Sequence, residues 1–137
     1  MKIAVCSSMK FAKEMIDLKN QLEEFGHNVI LPNKTEMYAE GSLTPETNKE
    51  SAENKIKDNL FKTYFKKIKN SDAILVVNLE KNSVPNYVGG NTFLEMAFAH
   101  ILDKRIFLLN EIPEMIYFDE MTAMQPFILN GDLTLIK

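Results

Sequence analysis

The chain has 137 residues, 45% of them apolar and 26% charged, and a net charge of −3 with a pI of about 5.4. That is the balance of an ordinary soluble domain long enough to bury a core, and it lacks the basic face of a nucleic-acid binder, so no nucleic-acid partner is expected. Arg105 is the one arginine, so bidentate phosphate forks are scarce, although lysines remain available. Cys6 is the one cysteine, which rules out an intramolecular disulfide and points to a reducing compartment. Two histidines and one cysteine make a His/Cys zinc site a poor reading. No apolar run approaches the roughly 20 residues of a membrane span. The N-terminal Met-Lys-Ile-Ala-Val-Cys-Ser-Ser reads as a first strand and not a signal peptide. The expectation is a single cytoplasmic domain over residues 1–137, with no membrane partner.

Lys2 to Cys6 is a short buried strand ended by Ser7-Ser8. Phe11, Met15, Leu18 and Leu22 recur at helical spacing, and Gly26 is a plausible stop. Asn28 to Leu31 is a second strand ended by Pro32. Residues 33–54 are polar and contain Gly41 and Pro45, so a long loop or lid is expected there. From Ile56, the residues Leu60, Phe61, Tyr64, Phe65 and Ile68 mark one face of a second helix whose lysines fall mainly on a solvated side. Ala73 to Val77 is a continuous apolar run, the signature of a central parallel strand. Asn78 to Val88 is a loop, Asn91 to Leu102 a third helix and Arg105 to Leu109 a further buried strand. A short helix is expected at Glu120 to Met124. Late strands are expected at Phe127 to Leu129 and Leu133 to Ile136, joined by an Asn130-Gly131 turn. The alternation predicts an α/β domain with a mainly parallel, five-stranded sheet. Ligands of such sheets bind outside the carboxyl ends of the strands, where Ser7-Ser8-Met9, the loop before Gly90 and the segment from Asn110 all fall.

The segment Tyr87-Val88-Gly89-Gly90-Asn91-Thr92-Phe93-Leu94-Glu95 joins a glycine turn to a helix that is apolar almost all round. Glu95 is the one carboxylate at its start. It reads either as a nucleophile or base facing a sugar, or as the closing residue of a Thr-x-x-Glu capping box. The glycines open room for a ligand. Gly89, Gly90 and Asn91, with Ser7 and Ser8, are candidates to hold a sugar or phosphate end, and Tyr87 and Asn78 to approach a base. The alternatives are that the serines cap the first helix and that Tyr87 and Asn78 only order their loop. Cys6 reads as a small core residue, His100 as packed or interfacial, His27 as exposed, Asp72 as structural, and the eight methionines as core filler. A helix apolar on every side is buried on every side, which predicts a homo-oligomer with a symmetric dimer as its minimal unit.

On Gly89 to His100, with Ser71-Asp72-Ala73-Ile74-Leu75-Val76-Val77 before it and Lys104-Arg105-Ile106-Phe107-Leu108-Leu109 after it, the chain resembles the nucleoside 2-deoxyribosyltransferase superfamily. That superfamily includes 2′-deoxynucleoside 5′-monophosphate N-hydrolase-like proteins. The resemblance implies a flavodoxin-like, Rossmann-like three-layer fold and an oligomer whose active sites are completed by a neighbouring subunit. It also implies that the glutamate of the E-x-G-x-A pattern, here Glu95-Met96-Ala97-Phe98-Ala99, is the nucleophile at C1′. The family's aspartate for acid/base work is missing: its region carries Tyr64 and Phe65, and the nearest acid upstream is Asp58. The polar residue six before the glutamate is here Gly89, and the first loop is Ser7-Ser8-Met9-Lys10 in place of an aromatic residue or an arginine with glycines. Asp119, Glu120 and Tyr87 are the groups left to protonate a departing base. Gly89-Gly90-Asn91-Thr92-x-x-Glu95 also resembles, more loosely, the P-G-G-x-G-T-x-x-E motif of lysine-decarboxylase-like phosphoribohydrolases. Both likenesses imply a small N-glycosidic substrate and no metal or organic cofactor. A non-catalytic nucleotide sensor and a purely structural subunit are the rival readings.

Overall fold

A computed structural model of the chain describes residues 1–44, 52–53, 56 and 59–137. Five parallel strands form one sheet: β1 (Lys2–Cys6), β2 (Asn28–Ile30), β3 (Ala73–Val76), β4 (Arg105–Leu108) and β5 (Phe127–Ile128), in the order β2-β1-β3-β4-β5. Past Lys2 and Arg105, which open β1 and β4, the three central strands are continuous apolar runs because helices cover both their faces. Side chains alternate across the pleat. Ile3 and Val5 join Ala73, Leu75, Val77 and Phe107 in one core. Ala4 and Cys6 join Ile74, Val76, Ile106 and Leu108 in the other.

The first core is covered by α1 (Ala12–Glu24), through Ala12, Met15 and Leu22, and by the C-terminal residues Leu133 and Ile136. The second is covered by α3 (Leu60–Lys69), α4 (Gly90–Ile101) and α5 (Phe118–Ala123), through Tyr64, Ile68, Met96, Ala99 and Met121. The α/β class and the parallel five-stranded sheet therefore hold as read from the sequence, and the strand order is that of the flavodoxin-like fold the resemblance implies. Gly26 ends α1 with a φ of +92°, the left-handed position past a helix end that glycine fills without strain.

Three local expectations are corrected. Inside residues 33–54, read as loop or lid, Thr35–Glu40 forms a short helix, α2. Its start is tied by the Thr35 hydroxyl donating to the Pro32 carbonyl at 2.6 Å, and Tyr38 and Ala39 pack on the first core. Residues 45–51 and 54, the rest of the expected lid, and Asp58 lie outside the described residues. Leu133 to Ile136 is not a strand: Leu133–Leu135 is a single 3-10 turn capped by Asp132. Asn130 and Gly131 do form a turn with positive φ, but β5 pairs in parallel with β4 and no hairpin follows.

Asp72 is structural, as read. Its carboxylate accepts from the Lys2 amide at 2.7 Å and its own amide donates to the Lys2 carbonyl at 2.8 Å, joining the starts of β1 and β3. His27 sits at the same end, partly buried and with Nδ1 3.0 Å from the terminal amine.

Candidate active site

In the strand order 2-1-3-4-5 the chain reverses direction across the sheet between β1 and β3, and the crevice at their carboxyl ends is where such sheets bind ligands. Ser7 spans that crevice, its hydroxyl donating to the Val77 carbonyl at 2.6 Å. Ser7 thus helps to build the switch point.

Glu95 meets this crevice from above β1. The helix that carries it begins at Gly90 with Gly89 as its cap residue, and no side chain caps it. Thr92 is a buried residue inside the helix and not its cap. The capping-box reading of Thr92-x-x-Glu95 therefore fails: Glu95 lies in the second turn, beyond reach of that role. Thr92, Met96 and Ala99 form the buried face of α4, and Glu95 shares it. Its carboxyl group lies against the Cys6 thiol at the end of β1.

Burial pushes the Glu95 carboxyl up to about 8, although the Cys6 thiol opposes this by hydrogen bonding to it. Burial, and then the Glu95 charge, push the Cys6 thiol well up in turn. The Tyr64 hydroxyl, which donates to the Val5 carbonyl, is raised by burial and then by Cys6 and Glu95. Three weakly acidic groups thus share one water-poor cluster, and burial favours the neutral form of each. Among the described residues the only ion pair is Lys19–Glu23, so no cation compensates Glu95. A carboxyl group held this way is costly and reactive.

The rim is built by the loop between β3 and α4. Lys81 and Val84 exchange backbone hydrogen bonds at 3.1 and 2.9 Å, closing a turn whose central residues, Asn82 and Ser83, both have positive φ. The Lys81 ammonium donates to the Ser8 hydroxyl at 3.0 Å and lies 5.4 Å from the centre of the Tyr87 ring. Tyr87 covers Gly89, where a Cβ would come within 3.3 Å of the ring; at Gly90 a Cβ would meet only open space. Asn91 is exposed beside it. On the other side Tyr117 donates to the Val88 carbonyl and stacks on Phe93, with ring centres 4.4 Å apart. Asp119 and Glu120 are exposed in the first turn of α5.

Ser7, Ser8, Tyr87, Gly89, Gly90, Asn91 and Glu95 thus gather at one edge of the sheet. Ser8 also accepts from the Lys10 amide at 3.3 Å, which caps the 3-10 turn Met9–Phe11 and not α1, whose own start has no side-chain cap. Asn78 departs from the expectation. It is fully buried, its amide group donates to the carbonyls of Asn110 and Glu111 at 3.0 Å, and its oxygen accepts from the Asn110 amide at 2.9 Å. With those bonds made, it clips two loops together and has no free donor for a base. The sequence reading passed over Cys6, Tyr64, Lys81 and Tyr117. Cys6 has the alternation of a core strand and no local partner, and only the topology sets Glu95 against it. A shallow, open depression elsewhere is lined by Glu114, Met115, Ile116 and Phe118. It holds none of these groups. Among the described residues no three metal-ligating side chains converge.

No protein-family model and no curated protein matches the chain. Among solved structures it is similar to the 2-deoxyribosyltransferase of the psychrotolerant bacterium Bacillus psychrosaccharolyticus, with a TM-score of 0.54 and 22% identity over 79% of this chain and 71% of that one. The likeness is one of fold. It joins the two proteins through the same α/β architecture and leaves the chemistry to be argued from the residues at the crevice.

Proposed function

We propose that the protein cleaves or exchanges the N-glycosidic bond of a nucleoside or nucleotide, with Glu95 as the nucleophile at C1′. The observation that carries this reading is a buried carboxyl group at the switch point with no capping role and no cation beside it. The named activity of the solved structure with this fold supports deoxyribosyl transfer as the overall reaction.

In the reaction so read, the sugar lies over the Glu95 carboxyl group with its base toward Tyr87 and Tyr117. Positive charge that develops at C1′ as the bond to the base stretches favours the ionised carboxylate, lowering a pKa that burial had raised. The carboxylate then bonds to C1′ and the base departs with the bonding electrons and a proton. Tyr87 is the group we assign to supply that proton, because Asp119 and Glu120 stand exposed on α5. A second base or water next attacks C1′, returns a proton to Tyr87 and frees the Glu95 carboxylate, giving transfer in one case and hydrolysis in the other.

The exposed apolar stripe of α4 supports a homodimer. Leu94 and Ile101 are 42% and 79% exposed, and Phe98, between them, packs edge-on against Phe65 of α3 with ring centres 5.4 Å apart. Phe61, one turn before Phe65, extends the patch. A contiguous apolar surface on two adjacent helices suits a second copy.

The test is to incubate the purified protein with the common nucleosides and their 5′-monophosphates, with and without a second free base, and to follow base release by chromatography. Release or exchange that disappears in Glu95→Gln is the expected result. A folded wild-type protein that turns over none of them removes the catalytic reading. The missing family aspartate favours one alternative, a nucleotide sensor on this scaffold, for which ligand binding survives Glu95→Gln.

A further inference from the structure

We propose that residues 80–86 form a flap across the mouth of the crevice, latched shut by the Lys81–Ser8 hydrogen bond, and that release of this latch admits ligand to Glu95. What enters rests on the glycosidic reading above, but the flap and its latch stand on their own geometry.

The segment is anchored at its neck and loose beyond it. Leu79 packs against the first core, and Val88 is buried in the second. The Tyr87 amide donates to the Leu79 carbonyl at 2.9 Å and closes the neck. Between these points no side chain belongs to either core, and Glu80, Asn82, Ser83 and Pro85 are exposed. The two Lys81–Val84 hydrogen bonds, with left-handed Asn82 and Ser83 between them, fold the tip on itself as one small body. Asn86, with a φ of +57°, turns the chain back at the neck and is the natural hinge.

One bond ties this body to a distant element. Among the described residues, the only hydrogen bond from residues 80–86 to another part of the chain runs from the Lys81 ammonium to the Ser8 hydroxyl, at 3.0 Å. Ser8 follows β1 and the flap follows β3, so the bond crosses the crevice between those strands. It is a charge-assisted bond, yet among the described residues no carboxylate pairs with Lys81. Burial lowers the Lys81 pKa, because its ammonium gives up hydration in the shut position. A single hydrogen bond opposed by lost hydration is one that thermal motion breaks often. Behind it, Cys6 ends β1 with no exposed surface and shares the second core with Val88, at the root of the flap. Glu95 meets the crevice beside Cys6, so the path to its carboxyl group runs under the flap.

The experiment uses Cys6, the one cysteine of the chain, as a built-in reporter of opening. Its modification by methyl methanethiosulfonate, a small uncharged thiol reagent, is timed by mass spectrometry on the folded protein at one fixed pH. The proteins are wild-type, Ser8→Ala, Lys81→Met, the double substitution and Ser8→Asp, with Lys69→Met, at the last residue of α3, as the control. Ser8→Ala removes the acceptor and leaves every charge in place. The expected result is labelling about 10-fold faster in Ser8→Ala and in Lys81→Met than in wild-type. The double substitution should label no faster than either single one, because both remove the same bond. Ser8→Asp, which offers Lys81 a carboxylate, should label at least about 3-fold more slowly. Lys69→Met should match wild-type, and urea midpoints should stay unchanged throughout, because the opening is local. Equal rates in wild-type and Ser8→Ala overturn the proposal. So do rates that follow the urea midpoint, which mark labelling through global unfolding, and a double substitution that gains from both changes independently. Should Lys81→Met fail to fold, Ser8→Ala and Ser8→Asp carry the test. Because labelling needs no substrate, the flap and the glycosidic reading can each fail without the other.

Discussion

Glu95 and Cys6 meet although 89 positions separate them, and their contact sets a pH dependence with a definite sign. The carboxyl group ionises near its ordinary 4.5 in the unfolded chain and near 8 in the folded one. Between those values the unfolded state has released a proton that the folded state keeps, so stability falls as pH rises from about 5 to 8 and levels off above. Glu95→Gln removes the penalty. It should raise the unfolding free energy by roughly 2 to 4 kcal/mol at pH 8 and leave it unchanged at pH 4, as measured by urea denaturation at the two pH values. If the ionised carboxylate is the attacking form, kcat/KM for the free protein should rise with pH and level above about 8. Cys6→Ala should move that midpoint upward, because the thiol hydrogen bond favours the charged carboxyl group. A pH–rate profile that does not shift in Cys6→Ala would reduce Cys6 to a packing residue. The sequence alone could single out Glu95, since an acid in an apolar helix stands out. It could not reveal Cys6 or Tyr64, because each looks like core until strand order brings them together.

The elements were legible where one physical signal ruled. The central strands are unbroken apolar runs, and α1 and α3 have amphipathic faces. The short helix α2 has no period to read; it is set by the Thr35 bond to Pro32 and by two side chains reaching the core. The Asn130-Gly131 pair carries a hairpin signal, yet the Gly131 amide donates to the Leu109 carbonyl and the following residues turn under the sheet. The loops at the carboxyl edge illustrate the same point. Asn78 and Asn110 bond each other reciprocally, each accepting from or donating to the other's backbone, at 2.9 and 3.0 Å. Asn78→Ala should therefore cost about 2 to 4 kcal/mol of stability, because it strands buried donors and acceptors on both loops. A loss below about 0.5 kcal/mol accompanied by weaker ligand binding would return Asn78 to the ligand.

At the scale of the molecule, the apolar character of α4 was readable from its composition, while the faces it buries were not. Part of it covers the sheet and part, with Leu94 and Ile101, is left outward. Ile101→Glu should turn a dimer into a monomer in sedimentation or light-scattering measurements with the fold intact, because it places a charge within the proposed contact on its most exposed α4 residue. A wild-type protein that is already monomeric at micromolar concentration would remove the dimer. The parallel topology also has a consequence for synthesis. The inner strand β1 meets one neighbour, β2, early, but pairs Ile3 with Ala73 on its other side. At typical elongation rates that second edge stays open for roughly 4 to 14 s while the chain from Ile3 to Ala73 is made. During that interval the nascent chain exposes the open edge of a strand that is apolar from Ile3 to Cys6, the part of this protein that a ribosome-associated chaperone has most reason to hold.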